Sequence, residues 1–146
     1  MFEMLMQIES TKQRRRGRLP DWFRVPAPGN ERFRDLKRLM RGMSLHTVCE
    51  SARCPNIGEC WGAGTATFMI LGDICTRSCG FCAVKTGRPS GLDFEEPARV
   101  AEAVSRLDLR HVVVTSVNRD ELPDGGASIF SHTIRKIHDI SPNTRV

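Results

Sequence analysis

The chain has 146 residues, of which 40% are apolar and 27% charged, as is ordinary for one soluble domain. No apolar run approaches the roughly 20 residues that a membrane span needs. The net charge of +5 belongs to the N-terminal side, since residues 1–42 carry 11 Lys/Arg and 5 Asp/Glu. This basic arm predicts an acidic protein partner or a solvated surface; aromatic residues interleaved for base stacking are missing, which argues against RNA.

Residues 1–18 have the character of a basic, disordered tail. The cluster Arg14-Arg15-Arg16 follows a weakly apolar start, which is the reverse of the order in an export signal. We therefore expect a cytoplasmic protein. In a reducing compartment the six cysteines, all between positions 49 and 82, predict metal or cluster ligation rather than disulfides.

Residues 19–62 are predicted to form an N-terminal extension. Trp22 and Phe23 offer two aromatic side chains, and the proline-rich segment 25–30 favours an extended linker. A short helix ended by Gly42 follows, because apolar side chains recur at helical spacing at Phe33, Leu36, Leu39 and Met40.

The extension ends in a cysteine loop with the spacing C-x4-C-x5-C, formed by Cys49, Cys54 and Cys60. A proline and a glycine within it provide the backbone bends that let a loop wrap a metal cluster. Three thiolates are offered, and a fourth ligand is missing. His46 lies three residues ahead, where a histidine more often donates a hydrogen bond around a metal site than binds the metal itself.

Residues 65–71 form an apolar, partly β-branched run that predicts a buried strand. A second cysteine loop follows, with Cys75, Cys79 and Cys82 at the spacing C-x3-C-x2-C. Three thiolates on one compact loop can hold three irons of a 4Fe–4S cluster and leave the fourth iron open to the methionine end of S-adenosylmethionine. The alternative is zinc, but a tetrahedral site usually takes four nitrogen or sulfur ligands, and six thiolates do not suit one shared zinc.

The remaining chain alternates helices and strands. A helix with Pro97 in its first turn is predicted from the spacing of Val100, Val104 and Leu107. The unbroken valines of 111–117 favour a parallel strand buried on both faces. A polar loop, a second helix and the start of a third strand at 144–146 follow; the apolar face of that helix is Ile129, Phe130, Thr133, Ile134 and Ile137.

The order strand, helix, strand, helix, strand predicts an α/β fold with a parallel sheet and right-handed crossovers. The loop that begins at Cys75 follows the first strand, so it is expected at the carboxyl end of the sheet, where such folds place their sites. Two and a half units do not close a barrel. We therefore expect residues 63–146 to be the first part of a barrel that this chain leaves incomplete.

Three long strings resemble one family. Residues 49–61 read CESARCPNIGECW, residues 75–82 read CTRSCGFC with Phe81 at an aromatic position of the motif, and residues 115–127 read TSVNRDELPDGGA. Together they resemble lipoyl synthase, a family of the radical S-adenosylmethionine superfamily, from about Pro20 to the last residue. The resemblance implies an incomplete radical-SAM (β/α) partial barrel with an N-terminal cluster-binding extension.

The resemblance also implies a sulfurtransferase activity. The reaction inserts two sulfur atoms at C6 and C8 of an octanoyl group on a lipoyl carrier protein, either the lipoyl domain of a 2-oxoacid dehydrogenase or the glycine cleavage H protein. Two 4Fe–4S clusters and S-adenosylmethionine are implied, with the reductive cluster on Cys75, Cys79 and Cys82 and an auxiliary, sulfur-donating cluster on the other cysteine triplet. An electron donor such as ferredoxin or flavodoxin is expected, and neither nucleic acid nor a membrane is.

The loop after the second strand is the expected S-adenosylmethionine contact, through Thr115, Ser116, Asn118, Arg119 and Asp120. Asn118 stands where the family commonly has Asp. Asp124-Gly125-Gly126 is expected to cap the next helix. In the family, a serine in an RSSY-like motif near the C-terminus is the fourth ligand of the auxiliary cluster; no such motif precedes Val146, which predicts a truncated chain without the complete site.

Two other classes of protein share some of these features. A methylthiotransferase-like radical enzyme also pairs two clusters, although its first cysteine triplet is spaced differently. A non-catalytic iron–sulfur or zinc-binding protein would use the same cysteines, although ferredoxins supply a fourth cysteine to each cluster.

Overall fold

The computed structural model of the protein describes residue 20 and residues 29–146. The predicted tail, residues 1–18, lies outside the described residues, as do Trp22, Phe23 and most of the predicted linker. No helix within the described ranges is long and apolar enough to cross a membrane.

The secondary structure confirms the predicted helices and the two longer strands. Two short helices carry the first cysteine loop, and a short strand pair brackets the second. In chain order the elements are α1 (Glu31–Gly42), β1 (His46–Thr47), α2 (Val48–Ser51), α3 (Ile57–Gly62), β2 (Thr65–Ile70), β3 (Ile74–Cys75), β4 (Lys85–Thr86), α4 (Glu96–Arg106), β5 (His111–Ser116) and α5 (Ala127–Ile140).

Helix α1 begins at a side-chain cap and buries one face. The Asn30 side chain accepts a hydrogen bond from the Phe33 backbone N–H at 2.7 Å, which satisfies a donor that has no partner within the helix. Leu36 and Met40, four residues apart, are fully buried. The apolar spacing therefore identified the packed face of this helix correctly.

The larger sheet has three strands in the order β1-β2-β5. Strand β2 pairs with β5 in parallel, with Thr65 opposite His111 and Ile70 opposite Ser116, and β1 pairs with β2 antiparallel. The predicted third strand is present as one parallel bridge between His111 and Arg145, supported by the Val112 N–H donating to the Arg145 carbonyl at 2.8 Å. The predicted parallel connection of strand, helix and strand is thus confirmed.

The prediction that β5 is buried on both faces is wrong. Val112 is fully buried, whereas Val113, which points to the opposite face, is 41% exposed. On the buried face Val112 joins one core with Phe68 of β2 and with apolar residues of α4 and α5. No layer of comparable depth covers the other face at Val113 in residues 29–146, so a continuous valine run accompanies one-sided burial here.

The predicted extension and the predicted barrel segment share one hydrophobic core. Trp61 of α3 is fully buried and packs against the Phe33 ring, with 5.1 Å between the ring centroids. From α1, the Arg32 guanidinium donates to the backbone carbonyls of Leu107 and Asp108 at 3.2 and 2.9 Å. These contacts hold the first cysteine loop against the three-stranded sheet. The second cysteine loop follows strand β2 of the same sheet.

Candidate functional site

The first cysteine triplet is carried by two short helices. Cys49 lies in α2 and Cys60 in α3, and all three thiols, with Cys54 between the helices, are half-buried. The Cys54 N–H donates to the Cys49 carbonyl at 3.0 Å, and Arg53 takes a left-handed conformation with φ 49°. The chain therefore turns back between α2 and α3, so that the first two cysteines are close in the backbone.

The Cys60 thiol lies in a partly buried environment with acidic neighbours. The pKa of the Cys60 thiol is raised first by burial, then by the negative charges of the Cys49 and Cys54 thiolates, and then by Glu59. Mutual repulsion of this kind is what a bound cation or a cationic cluster core would relieve.

A shallow cleft of about 330 Å³ opens beside this triplet. Cys49 and Cys54 line it together with two basic side chains, Lys37 and Arg53, and one acidic side chain, Glu50. Positive side chains beside thiolates favour a bound group with net negative charge, which a thiolate-ligated iron–sulfur cluster has. The donor set and its charged surroundings therefore fit such a cluster.

The second cysteine triplet lies on a loop whose two ends are held together. Cys75 ends β3 and pairs with Thr86 of β4, and the Gly87 N–H donates to the Cys75 carbonyl at 3.0 Å. Between these ends, Cys79 and Cys82 are exposed, and Phe81 is 95% exposed. The loop thus presents two thiols and an aromatic ring at the surface while its first cysteine is half-buried.

The loop after β5 is bonded directly to the second cysteine loop. The Asn118 backbone N–H donates to the Cys75 Sγ at 3.3 Å, and the Thr76 N–H donates to the Asn118 carbonyl at 3.1 Å. The Asp120 carboxylate accepts from the Thr76 hydroxyl at 2.7 Å and from the Arg77 guanidinium at 2.7 and 3.1 Å. Two predicted contact residues, Asn118 and Asp120, are thereby placed against the cysteine loop.

The ion pair between Arg77 and Asp120 shifts the pKa of both groups. Hydrogen bonds from Arg77, and then from Thr76 and Asn118, hold the pKa of the Asp120 carboxyl well below its usual range. The pKa of Arg77 is raised, first by its hydrogen bond to Asp120. Asp120 is therefore ionised wherever the protein is folded near neutral pH.

Arg119 points away from the cysteine loop and is 4% exposed. Its guanidinium donates to the Leu71 carbonyl at 2.9 Å and to the Gly91 carbonyl at 2.8 Å, and it forms an ion pair with Glu121. These chain acceptors engage all three guanidinium nitrogens. Arg119 therefore joins Leu71, directly after β2, to the loop before α4 and the loop after β5, and its contact with S-adenosylmethionine stays a prediction.

Thr115 and Ser116 are half-buried at the carboxyl end of β5, beside Ile70 at the end of β2. Asp124 caps α5 as expected, because its carboxylate accepts from the Gly126 and Ser128 N–H groups at 2.9 Å each. A hydrogen bond from the Ser128 side chain, and then those from the Ser128 and Gly126 N–H groups, lower the pKa of Asp124 to about 2.

Across residues 29–146, no group of three Cys, His, Asp or Glu side chains is close enough to hold one metal ion. The two triplets are each gathered on one loop without being closed around a common centre. Their thiolate donor sets fit clusters of several irons, in which each cysteine binds a different iron, better than they fit a single ion.

Sequence reasoning missed Glu96, a buried acid at the start of α4 that is 4% exposed. Its carboxylate accepts from the Leu71 N–H at 2.7 Å and the Gly72 N–H at 3.3 Å, just past the end of β2. Burial raises its pKa, and these two hydrogen bonds lower it in part. It borders a cleft of about 680 Å³ that Arg119 also lines. Acidic side chains are common in the first turn of a helix, because they interact favourably with the helix dipole. A Glu next to Pro97 at a helix start therefore contains no signal for this contact.

Comparisons with known protein families agree with the motifs. Residues 69–146 match the radical SAM superfamily, which is more than half of the chain, and residues 3–54 match the N-terminal domain of lipoyl synthase. The chain therefore belongs to the radical SAM superfamily. Within it, the chain is similar to the N-terminal portion of proteins named lipoyl synthase.

Three such relatives are from bacteria. The lipoyl synthase of Rubrobacter xylanophilus is 64% identical over 132 residues, covering 90% of this chain and 41% of the relative. That of Symbiobacterium thermophilum is 64% identical over 129 residues, covering 88% and 40%. That of Koribacter versatilis is 57% identical over 146 residues, covering 100% and 48%. The chain thus spans less than half the length of these curated relatives.

Proposed function

We propose that this chain carries the N-terminal portion of a lipoyl synthase, a sulfurtransferase that inserts sulfur at C6 and C8 of a protein-bound octanoyl group. The observation that carries the proposal is 64% identity to curated lipoyl synthases over a segment that includes both cysteine triplets. Membership in the radical SAM superfamily implies an iron–sulfur cluster and the use of S-adenosylmethionine.

The proposed assignment of the cysteines follows the two loops. Cys75, Cys79 and Cys82 would hold the reductive 4Fe–4S cluster, and the half-buried first triplet would hold an auxiliary 4Fe–4S cluster that supplies sulfur. When bound, the reductive cluster supplies one electron that cleaves S-adenosylmethionine to a carbon radical able to abstract hydrogen from an unactivated chain. Lys37 and Arg53, beside the first triplet, support the assignment by balancing the negative charge of its thiolates.

The carboxyl ends of β2 and β5 are the proposed place for S-adenosylmethionine. Thr115 and Ser116 end β5 beside the second cysteine loop, and their hydroxyl groups can bond the amino and carboxylate groups of the ligand. Asn118 is held next to Cys75 and offers a further polar group. We assign Arg119 to support of this loop, since acceptors of the chain already engage its guanidinium.

The finer fold and the partners are proposals as well. Parallel pairing of β2 with β5, and of β5 with Arg145, supports the first strands of a partial (β/α) barrel preceded by a cluster-binding extension. The proposed substrate is an octanoylated lipoyl carrier protein, with ferredoxin or flavodoxin as the electron donor and the cytoplasm as the compartment.

The test is anaerobic reconstitution of the chain with iron and sulfide, followed by metal analysis and electron paramagnetic resonance with and without S-adenosylmethionine. About eight irons per chain and a spectrum perturbed by S-adenosylmethionine are expected from two 4Fe–4S clusters, one of them with an open iron. Zinc in place of iron, or spectra indifferent to S-adenosylmethionine, would contradict the proposal.

Cysteine variants assign the clusters. Cys79→Ala should remove the S-adenosylmethionine-sensitive signal and keep about four irons, whereas Cys54→Ala should lose about four irons and keep that signal. Ser78→Ala is the matched control, because it alters the same exposed loop without removing a thiolate. Loss of the same signal in both cysteine variants would show that the triplets do not hold separate clusters.

A further inference from the structure

The Asp120 carboxylate connects the second cysteine loop to the loop after β5. It accepts from the Thr76 hydroxyl at 2.7 Å, and both carboxylate oxygens accept from Arg77 in a two-point ion pair. The Asp120 N–H also donates to the Thr76 hydroxyl oxygen, at 3.3 Å. Thr76 and Arg77 directly follow Cys75. The Asp120 side chain therefore binds the two residues next to a proposed cluster ligand.

The same connection sets the environment of the Cys75 sulfur. The Asn118 N–H donates to Sγ at 3.3 Å, while the Asn118 carbonyl accepts from the Thr76 N–H at 3.1 Å. Asp120, two residues on, is fastened to Thr76 and Arg77, and the Asn118 side-chain amide donates to the Thr76 hydroxyl oxygen at 3.4 Å. From the opposite side the Gly87 N–H bonds the Cys75 carbonyl at 3.0 Å.

An N–H group that donates to a ligating thiolate has a defined effect on a cluster. It stabilises negative charge on the sulfur and therefore favours the reduced state, which carries one more electron. Loss of the hydrogen bond from Asn118 to Cys75 would make a cluster on this loop harder to reduce.

We propose that Asp120 is a positioning residue for the second cysteine loop: by holding Thr76 and Arg77 it keeps the Asn118 N–H on the Cys75 sulfur and so favours reduction of the cluster bound there. The cluster part of this inference rests on the proposed function; the effect on the Cys75 thiol does not. Asp120 then acts on the cluster through Thr76, Arg77 and Asn118. The motif suggests a direct contact with S-adenosylmethionine instead.

The exposure of the ion pair separates this role from a contribution to global stability. The Arg77 and Asp120 side chains are 63% and 47% exposed, and ion pairs so exposed to water stabilise folded proteins little. Removal of the Asp120 carboxylate is therefore expected to change the local geometry at Cys75 and leave the unfolding transition of the whole chain nearly unchanged.

The first measurement uses the full chain without iron. The rate at which iodoacetamide labels each cysteine is followed by peptide mass spectrometry for the parent and for Asp120→Ala. At about pH 9.5, above the ordinary thiol pKa, thiols are ionised with or without the hydrogen bond, so the rate reports access to the sulfur. The label on Cys75 should then form about fivefold faster in the variant, because its half-buried sulfur is freed, while the exposed Cys79 and Cys82 should change less than about twofold. Asp120→Asn keeps an acceptor for Thr76 and should restore a rate nearer to that of the parent.

Asp35→Ala is the matched control. Asp35 forms an ion pair with Arg38 on α1 at 3.1 Å, with side chains 51% and 79% exposed, and none of its described hydrogen bonds reaches a cysteine loop. It should leave the labelling rates of all six cysteines unchanged. An equal Cys75 rate in the parent and Asp120→Ala, or an equal rise in Asp35→Ala, would overturn the positioning role.

The second measurement uses the reconstituted chain in a redox titration read by electron paramagnetic resonance. Asp120→Ala combined with Arg77→Gln, which removes the carboxylate without changing the net charge beside Cys75, should shift the half-reduction of the S-adenosylmethionine-sensitive signal to lower potential, while the other cluster signal titrates as in the parent. An unshifted titration despite faster Cys75 labelling would overturn the effect on reduction. A parent chain that takes up no iron would refute the proposed function instead, and the labelling rates would still decide the positioning role.

Discussion

Replacement of Glu96 by alanine tests the buried contact that ends β2. Leu71, directly after that strand, is 2% exposed and has a left-handed backbone with φ 69°, and Gly72 follows with φ 89°. The N–H groups of both residues are turned toward α4, where the Glu96 carboxylate accepts from them. Without the carboxylate, the buried Leu71 N–H has no acceptor.

The expected loss of stability follows from the two hydrogen bonds. A buried donor left without a partner costs about 1–3 kcal/mol, and the Leu71 N–H is such a donor. The Gly72 N–H lies at the 680 Å³ cleft, so water can replace its bond at little cost. The one methylene group removed from Glu96 costs about 1 kcal/mol more, and release of a poorly solvated charge offsets part of this. Glu96→Ala should therefore lower the free energy of unfolding by about 2–3 kcal/mol.

The pH dependence of the free energy of unfolding comes from the burial of the Glu96 carboxyl and not from its hydrogen bonds. Burial raises the folded-state pKa of Glu96 above its ordinary value of 4.5, so the protonated form is favoured inside the protein. The stability linked to this group is present below 4.5 and is lost as the pH rises through the raised pKa. Glu96→Gln keeps an oxygen for the Leu71 N–H and cannot ionise. It should stay within about 1 kcal/mol of the parent and show a flatter dependence of stability on pH.

Urea unfolding of the reduced, iron-free chain, followed by circular dichroism at pH 5 and pH 8, measures both effects. Glu96→Ala should unfold at clearly lower urea than the parent at both pH values, and Glu96→Gln should gain on the parent from pH 5 to pH 8. If Glu96→Ala matched the parent at pH 8, the carboxylate would not be what holds Leu71 in its left-handed conformation.

Three further changes have defined outcomes. Gly126→Ala should destabilise the chain by about 2 kcal/mol or more, seen as a lower urea midpoint, since a Cβ there would lie 2.4 Å from the Leu71 side chain and φ is 92°. Trp61→Ala should cost about 3–5 kcal/mol in the same assay because the side chain is fully buried, and a loss under 1 kcal/mol would contradict that burial. Asp124→Asn should reduce the pH dependence of unfolding: the pKa of Asp124 is lowered to about 2, so its contribution is present above the ordinary value of 3.8 and lost as the pH falls toward 2. An unchanged acid transition in the variant would contradict this.

Local pattern was enough to predict the elements that bury one face. The stripe through Leu36 and Met40 gave α1, the apolar run at 65–71 gave β2, and Pro97 marked the start of α4. The cap at Asp124 was predictable too, because the N–H groups that donate to its carboxylate lie within four residues. Both cysteine loops could be located from spacing alone, since chemistry and not packing selects those residues.

The contacts that assemble the site were beyond such reasoning. Asp120 meets Thr76 across 44 residues, and Glu96 meets Leu71 across 25, and neither pairing leaves a periodic trace in the sequence. Val113 was misjudged for a related reason: a β-branched residue suits a strand whether or not a second layer covers it, so burial depends on neighbours that the run of valines does not specify.

Because β1 pairs antiparallel with β2 over two residues, strand β2 sets the positions of both cysteine loops. His46 opposite Met69 fixes where the first loop departs, and the far end of β2 fixes where the second begins. An insertion between 47 and 68 would displace one loop against the other. The stretch between the paired strands should therefore tolerate changes of length poorly, although it is made of loops and short helices.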